Sequence, residues 1–206
     1  MDVKIISHIR IKNHSIWING IELKHGFNKE GFLKSIYKHL EIKYPKFYKM
    51  DELSRLGFIA SELLLNNPES KKAIALVEPE DIGLILQNTD STIDVDSSFY
   101  DSIIDNEKHF PSPALFVYTL PNITLGEVAI RNKFKGENAL FIYEKYNLDL
   151  GVNYINGLFN KNRIKACLGG WFNANKGNYD AFFYLAAQTD GKQEKHTTEN
   201  ISKIYK

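Results

Sequence analysis

The alternation of apolar and polar positions predicts strands and helices that follow one another along the chain. Short apolar or alternating runs predict strands at residues 3–11, 16–23, 82–87, 139–143, 164–168 and 180–187. Apolar positions three and four apart predict helices at residues 29–40, 51–65, 123–134 and 149–159, and an acidic helix at 96–106. This order is typical of a layered α/β domain, with a mixed sheet flanked by helices on both faces.

Turn and capping residues mark the ends of several of these elements. Asn19-Gly20 is a strong signal for a tight hairpin turn near the N-terminus. Asp51 is placed to cap the helix at 51–65, and Asn66-Asn67-Pro68 is expected to end it. Because no repeat or linker interrupts the pattern, we expect one domain over residues 1–189, followed by a polar, frayed tail at 190–206.

Composition indicates an ordinary globular protein. The 206 residues are 43% hydrophobic, and the formal net charge of +1 gives no overall attraction to nucleic acid. The longest apolar runs, such as 114–120, are far shorter than the ~20 residues of a membrane-spanning helix. The polar start does not resemble a secretory signal, and the single cysteine, Cys167, excludes an internal disulfide. These features favour the cytoplasm.

Charge is distributed unevenly along the chain. Residues 1–50 carry ten Lys and Arg against four Asp and Glu, whereas residues 51–112 carry four against thirteen. Such asymmetry is typical of solvated faces, but a basic segment also suits an acidic partner. Its candidate docking residues are Lys34, Lys38, Lys43, Lys46 and Lys49.

Motifs of common catalytic or cofactor sites are absent from the sequence. Gly169-Gly170 lacks the spaced glycines and the lysine of a nucleotide-binding turn, and no GxSxG segment marks a hydrolase serine. Cys167 ends an apolar run and is expected to serve as small core packing. We predict no cofactor and no metal site, because zinc-binding spacing is missing among His8, His14, His25, His39, His109 and His196.

Several short segments occur in a recognisable order along most of the chain. They are Met50-Asp51-Glu52-Leu53-Ser54, Asp81-Ile82-Gly83-Leu84-Ile85, Ser112-Pro113, Thr119-Leu120-Pro121-Asn122, Gly126-Glu127-Val128-Ala129 and Gly169-Gly170. As a set, they resemble the N-terminal half of a β-ketoacyl synthase, the condensing enzyme of fatty acid and polyketide synthesis. The resemblance implies a thiolase-like half, with a mixed sheet flanked by helices.

The resemblance also implies that catalysis is lost. The family's nucleophilic cysteine follows a glycine by about nine residues, and counting from Gly136 places Lys145 at that position. A lysine cannot hold an acyl chain as a thioester, and the family's catalytic histidines and lysine lie in its C-terminal half. The chain is therefore similar to short, cysteine-free ketosynthase-like proteins of polyene pigment pathways and to chain length factors. These pair with an active ketosynthase; without one, a homodimer remains possible.

By the same resemblance, the strand at 139–143 joins the sheets of the two subunits. The implied interface residues are Phe116, Tyr118, Asn122, Leu140, Phe141, Ile142 and Tyr143. An apolar strand without proline or lysine is a ready template for pairing. A half molecule is also expected to leave the apolar face of the helix at 149–159 uncovered, so both features predict association.

Two other functions remain open. One is a small acyltransferase or lyase whose site is rebuilt around Glu144, Lys145, His109 or Cys167. The other is a module that docks an acidic acyl carrier protein through the five lysines of the basic segment.

Overall fold

Seven strands and eight α-helices are found in residues 2–104, 111–175 and 177–205, which the computed structural model describes. The strands are β1 (Asp2–Lys12), β2 (Ser15–Ile18), β3 (Ile21–Glu22), β4 (Ile82–Asn88), β5 (Asn138–Ile142), β6 (Ala166–Asn175) and β7 (Asn178–Thr189). The helices are α1 (Phe32–His39), α2 (Glu52–Leu65), α3 (Pro68–Ile74), α4 (Ile93–Ile104), α5 (Pro113–Tyr118), α6 (Ile123–Asn132), α7 (Leu148–Asn160) and α8 (Thr198–Tyr205). Short 3-10 helices occupy Pro45–Lys49 and Pro79–Asp81.

All seven strands form one mixed sheet in the order β3-β2-β1-β7-β6-β4-β5. β4 runs parallel to both β5 and β6, whereas β7 is antiparallel to β6 and β1. β5 therefore lies at one edge of the sheet and the N-terminal hairpins lie at the other. Helices pack on both faces, so the predicted layered α/β architecture is confirmed.

The first helical layer, α1, α2 and α6, packs on one face of the sheet. α2 is buried almost all round, with Leu56, Phe58 and Leu64 fully buried against the sheet and its neighbouring helices. The Asp51 carboxylate accepts hydrogen bonds from the backbone N–H groups of Leu53 and Ser54, at 3.1 and 3.2 Å. The predicted helix and its cap are both confirmed.

The second layer, α7 and α8, packs on the opposite face. The apolar side of α7, including Val152, Ile155 and Phe159, is at most 3% exposed and joins a cluster with Phe182 of β7 and Ile201 of α8. The prediction that α7 leaves its apolar face uncovered is therefore wrong, because the sheet and the C-terminal helix cover it.

The expected frayed tail is also wrong. The N–H of Ile5 donates to the Glu194 carbonyl, and the N–H of His196 donates to the Val3 carbonyl, both at 2.9 Å. The chain then enters α8, where Ile201 is fully buried. The tail is polar in composition, but its few apolar residues fall on the inner side of the helix.

Several boundaries differ from the sequence prediction. Asn19 and Gly20 form a tight turn that connects β2 to an additional strand, β3. Both residues have positive φ angles. Gly169-Gly170 lies inside β6, not after it, and residue 169 is glycine because a Cβ there would lie 2.6 Å from the Tyr184 ring. The helix predicted at 96–106 begins earlier, at Ile93, and its predicted end lies outside the described residues.

Candidate interaction surface

β5 is the edge strand and has a partner on one side only within the described part of the chain. β4 pairs with it in parallel, from Leu84 opposite Asn138 to Asn88 opposite Ile142. Glycine at position 136 lets β5 begin close to β4. A Cβ at this position would lie only 2.5 Å from the Ile82 carbonyl oxygen. A larger residue at 136 would push β5 away from β4.

The hydrogen-bond pattern shows which backbone groups of β5 face outward. The Glu137 carbonyl accepts from the N–H of Leu84 at 2.8 Å, and the N–H of Tyr143 donates to the Asn88 carbonyl at 3.0 Å. Because alternate residues of a strand point their backbone groups to opposite sides, those of Asn138, Leu140 and Ile142 point away from β4. They form an open row of donors and acceptors, with no proline or lysine in the strand to block pairing.

Apolar side chains flank this open edge on both faces. Leu140 packs into the cluster under α2 and α6, whereas Phe141 packs into the cluster under α7. The Phe141 ring meets Tyr154 of α7 edge to face, with centroids 5.1 Å apart. Ile142 is 49% exposed at the end of the strand, and Tyr143 next to it is also exposed. β5 is therefore half-buried.

A shallow groove runs beside the strand and brings some of the predicted interface residues together. It is lined by Pro121 and Asn122 on one side and by Asn138, Leu140 and Ile142 on the other. Asn122, one of the interface residues that the resemblance implies, therefore lies beside β5.

Two other predicted interface residues lie elsewhere. Phe116 is exposed on α5, where its ring packs on Phe99 of α4 with centroids 5.7 Å apart. Tyr118 is only 5% exposed and belongs to the core, and burial with the nearby Glu127 carboxylate raises its pKa to about 12. Tyr118 is therefore not a surface residue, which corrects its assignment to the interface.

Lys145 lies in the exposed loop between β5 and α7. It lines an open depression with Tyr143, Glu144 and Thr198. The buried Gln87 side chain holds this loop, because its amide nitrogen donates to the Asn147 carbonyl at 2.8 Å and its oxygen accepts from the Asn147 N–H at 2.9 Å. Gln87 was not singled out from the sequence; its only signal is an amide near the end of an otherwise apolar strand.

The residues of the rebuilt-enzyme hypothesis do not form one site. Glu144 and Lys145 are exposed on the loop, whereas Cys167 is fully buried in β6 beneath α7. Burial raises the pKa of the Cys167 thiol well above its usual range, so it is held as an unreactive thiol. This agrees with its predicted packing role. His109 lies outside the described residues.

All five predicted docking lysines are exposed at the surface formed by α1 and the segment that follows it. Lys34 and Lys38 are four residues apart on α1 and share one face of the helix. Lys46 differs from the others because its Nζ lies 2.6 Å from Oε1 of the fully buried Glu127. Lys46 therefore has a structural role in addition to any docking role.

Across the described ranges, no helix is long and apolar enough to span a membrane. The same residues contain no group of three or more His, Cys, Asp or Glu side chains placed to hold a metal ion.

Comparison with known proteins places this architecture among ketosynthases and chain length factors. No protein-family model matches the chain, and no curated protein matches it either. Among solved structures, the ishigamide ketosynthase/chain length factor superposes with a TM-score of 0.67 and 16% identity, over 94% of this chain and 64% of that one.

Two further complexes have the same fold. The ketosynthase ApeO in complex with its chain length factor ApeC, from Xenorhabdus doucetiae, gives a TM-score of 0.59 at 12% identity, over 100% of this chain and 90% of that one. The AntDE:AntF complex of a type II acyl carrier protein with its ketosynthase gives a TM-score of 0.60 at 13% identity, over 91% of this chain and 62% of that one. This chain thus has the thiolase-like ketosynthase fold, and it spans less than two thirds of the ishigamide and AntDE:AntF chains.

Proposed function

We propose that this protein is a chain-length-factor-like subunit that pairs with an active ketosynthase through the open edge of β5. The observation that carries the proposal is the open backbone row of Asn138, Leu140 and Ile142 on a ketosynthase fold. A strand from the partner would satisfy these groups and extend the sheet across the two subunits.

The side chains around the edge support this pairing. Ile142 and Tyr143 are 49 and 38% exposed and present apolar area at the end of the open strand. Burying such area against a partner supplies the main favourable free energy of association, at roughly 25 cal/mol per Å² before the costs of binding. Solved structures with this fold include a ketosynthase in complex with its chain length factor, which supports a ketosynthase as the partner.

The proposed subunit has no condensing activity of its own. This part of the proposal rests on Lys145, which stands where the sequence resemblance places the family's cysteine. An ammonium group on the exposed loop offers no thiolate for acyl transfer, and the buried Cys167 cannot replace it. The pathway we propose is polyene, polyketide or fatty acid synthesis, in which the subunit would help set the length of the product.

Co-expression with a ketosynthase from the same organism tests the pairing. We expect light scattering to report a stable one-to-one complex. Ile142→Lys places a charge at the open edge and should weaken the complex about tenfold or more. Leu76→Lys is the matched control, because Leu76 is 97% exposed after α3 and lies outside the edge. Equal weakening by both variants, or no complex with the unaltered chain, contradicts the proposal.

A second function is favoured by the exposed lysines of α1 and its following segment. An acidic acyl carrier protein would bind Lys34, Lys38, Lys43 and Lys49 electrostatically, so its affinity should fall steeply with salt. Replacing these four lysines by glutamine should reduce carrier binding in a pull-down while leaving the ketosynthase complex intact. Carrier binding that ignores both salt and the four replacements would rule this surface out.

A further inference from the structure

A concave site lies on the face of the sheet that carries α8, away from β5. Its volume is about 420 Å³, and its wall includes Arg10, Lys12, Trp17, Asn19, Lys203 and Ile204. β1 and β2 lie on the far side of β7 and β6 from the β5 edge. The site is therefore separate from the proposed pairing surface.

The strand alternation brings these side chains together. Ile9 and Ile11 of β1 point into the α2 layer, so Arg10 and Lys12 point to the opposite face. Trp17 of β2 stands directly opposite Arg10 in the β1–β2 register and shares its face. Lys203 and Ile204 of α8 complete the wall.

Arg10 is the central group of this site, and its side chain is only 10% exposed. Its Nη1 pairs with the Asp180 carboxylate and also donates to the Ala181 carbonyl at 3.1 Å. The guanidinium carbon lies 5.0 Å from the centre of the Tyr205 ring. Its Nε is buried and has no hydrogen-bond partner among the described residues. A buried donor without a partner is costly, and the Nε side of a guanidinium is suited to a carboxylate that accepts two parallel hydrogen bonds.

The charge around the site favours an anion. Arg10, Lys12 and Lys203 are cationic, whereas Asp180, which stands opposite Lys12 in the β1–β7 register, is the carboxylate paired with Arg10. Lys203 Nζ donates to the Asn200 side chain at 3.2 Å, which leaves two of its three N–H groups for another acceptor. The positive charge thus exceeds the negative charge at the wall.

The apolar part of the wall narrows the class of anion. The Trp17 indole is half-buried, and Ile204 adds an aliphatic surface beside it. The indole ring and the aliphatic side chain gain free energy by covering carbon, which inorganic phosphate does not offer. We infer that this site binds an organic carboxylate, with the carboxylate at Arg10 and the two lysines and an apolar chain or ring against Trp17.

Calorimetric titration of the full chain with sodium octanoate tests the inference. Octanoate should bind with one-to-one stoichiometry, and at least about tenfold more tightly than octanol, acetate or inorganic phosphate. Octanol binding equally well would show that no carboxylate is recognised, and phosphate binding equally well would show that the apolar wall is not used. Either result, or no heat with octanoate at millimolar concentration, overturns the inference.

Variants locate the binding. Lys12→Gln with Lys203→Gln removes two cations and should weaken octanoate binding about fivefold or more. Lys192→Gln, a change of the same kind at an exposed lysine away from this wall, should leave it unchanged. Urea unfolding of each variant verifies that the fold is kept. Unchanged octanoate affinity in the folded double variant would place binding elsewhere and overturn the inference.

Discussion

Glu127 and Lys46 form an ion pair whose two members differ in exposure. The Glu127 side chain is fully buried on α6, accepts a hydrogen bond from the Tyr44 hydroxyl at 3.1 Å and lies 2.6 Å from the half-exposed Lys46 ammonium. Lys46→Met would leave a buried carboxylate without its cation. Because water still reaches Lys46, we expect a loss of about 2 kcal/mol in unfolding free energy, measured in urea.

Lys49→Met is the control for this prediction. Lys49 is exposed and forms no ion pair with the residues described, so its loss should cost less than about 0.5 kcal/mol. Equal effects of the two replacements would show that the pair with Glu127 contributes nothing.

His196 makes stability depend on pH. Its ring lies between Asn156 and Tyr184: Nδ1 is 2.8 Å from the amide oxygen, and Nε2 is 3.1 Å from the hydroxyl. Burial lowers the pKa of His196 to about 4 from an ordinary value of 6.5. As the pH falls, His196 therefore takes up a proton in the unfolded chain before it does so in the folded protein. The contribution of His196 to the unfolding free energy is fully present above pH 6.5 and is lost as the pH falls to 4.

His196→Gln removes this titration. Between pH 7.5 and 4, the unaltered protein should lose on the order of 3 kcal/mol more unfolding free energy than the variant. Comparing the two proteins cancels the carboxylates and the other histidines, including His8, whose pKa burial also lowers. Parallel pH profiles of the two proteins would show that His196 is protonated or exposed in the folded state.

At the residue scale, the sequence predicts roles that depend on neighbours in the chain. Asp51 could be predicted as a cap because its partners, Leu53 and Ser54, follow it directly. The roles of Gln87 and His196 could not be predicted, because their partners are distant in sequence. The partner of Gln87 is 60 residues away, and the nearer partner of His196 is 12 residues away. The same holds for Tyr118, which shares the apolar pattern of its exposed neighbours but points into the core.

At the scale of elements, strongly patterned segments could be predicted and weakly patterned ones could not. α2 and β4 each contain many buried apolar residues, so the sequence pattern marks both elements clearly. The ends of both lie within one residue of the predicted ends. α8 holds few apolar residues in a polar segment, so its amphipathic character escapes a composition-based prediction. Its position against α7 explains why the predicted uncovered helix face is covered.

The α8 contact can be tested by removing buried volume. Ile201 is fully buried in the cluster beneath α7. Ile201→Ala should therefore cost about 2–4 kcal/mol of unfolding free energy. Ser202→Ala, at a half-buried neighbour on the same helix, should cost less than about 0.5 kcal/mol. A negligible cost at Ile201 would mean that the helix is not docked in solution.

At the scale of the whole molecule, the two edges of the sheet differ in length. The N-terminal edge ends in β3, a strand of only two residues, whereas the other edge ends in the five apolar-rich residues of β5. The order of segments along the sequence was sufficient to predict the ketosynthase fold. The resemblance also predicts that the strand at 139–143 is free to pair, but the pattern of residues does not show that β4 lies between β5 and the later strand β6.

Amide hydrogen exchange along β5, with and without a co-purified ketosynthase, tests whether this strand forms the interface. The N–H groups of Leu140 and Ile142 face the open edge, whereas that of Tyr143 is already bonded to Asn88. Pairing through this edge predicts that exchange at Leu140 and Ile142 slows at least about tenfold in the complex, with little change at Tyr143. A stable complex in which Leu140 and Ile142 exchange as fast as in the free chain would show that the partner binds elsewhere.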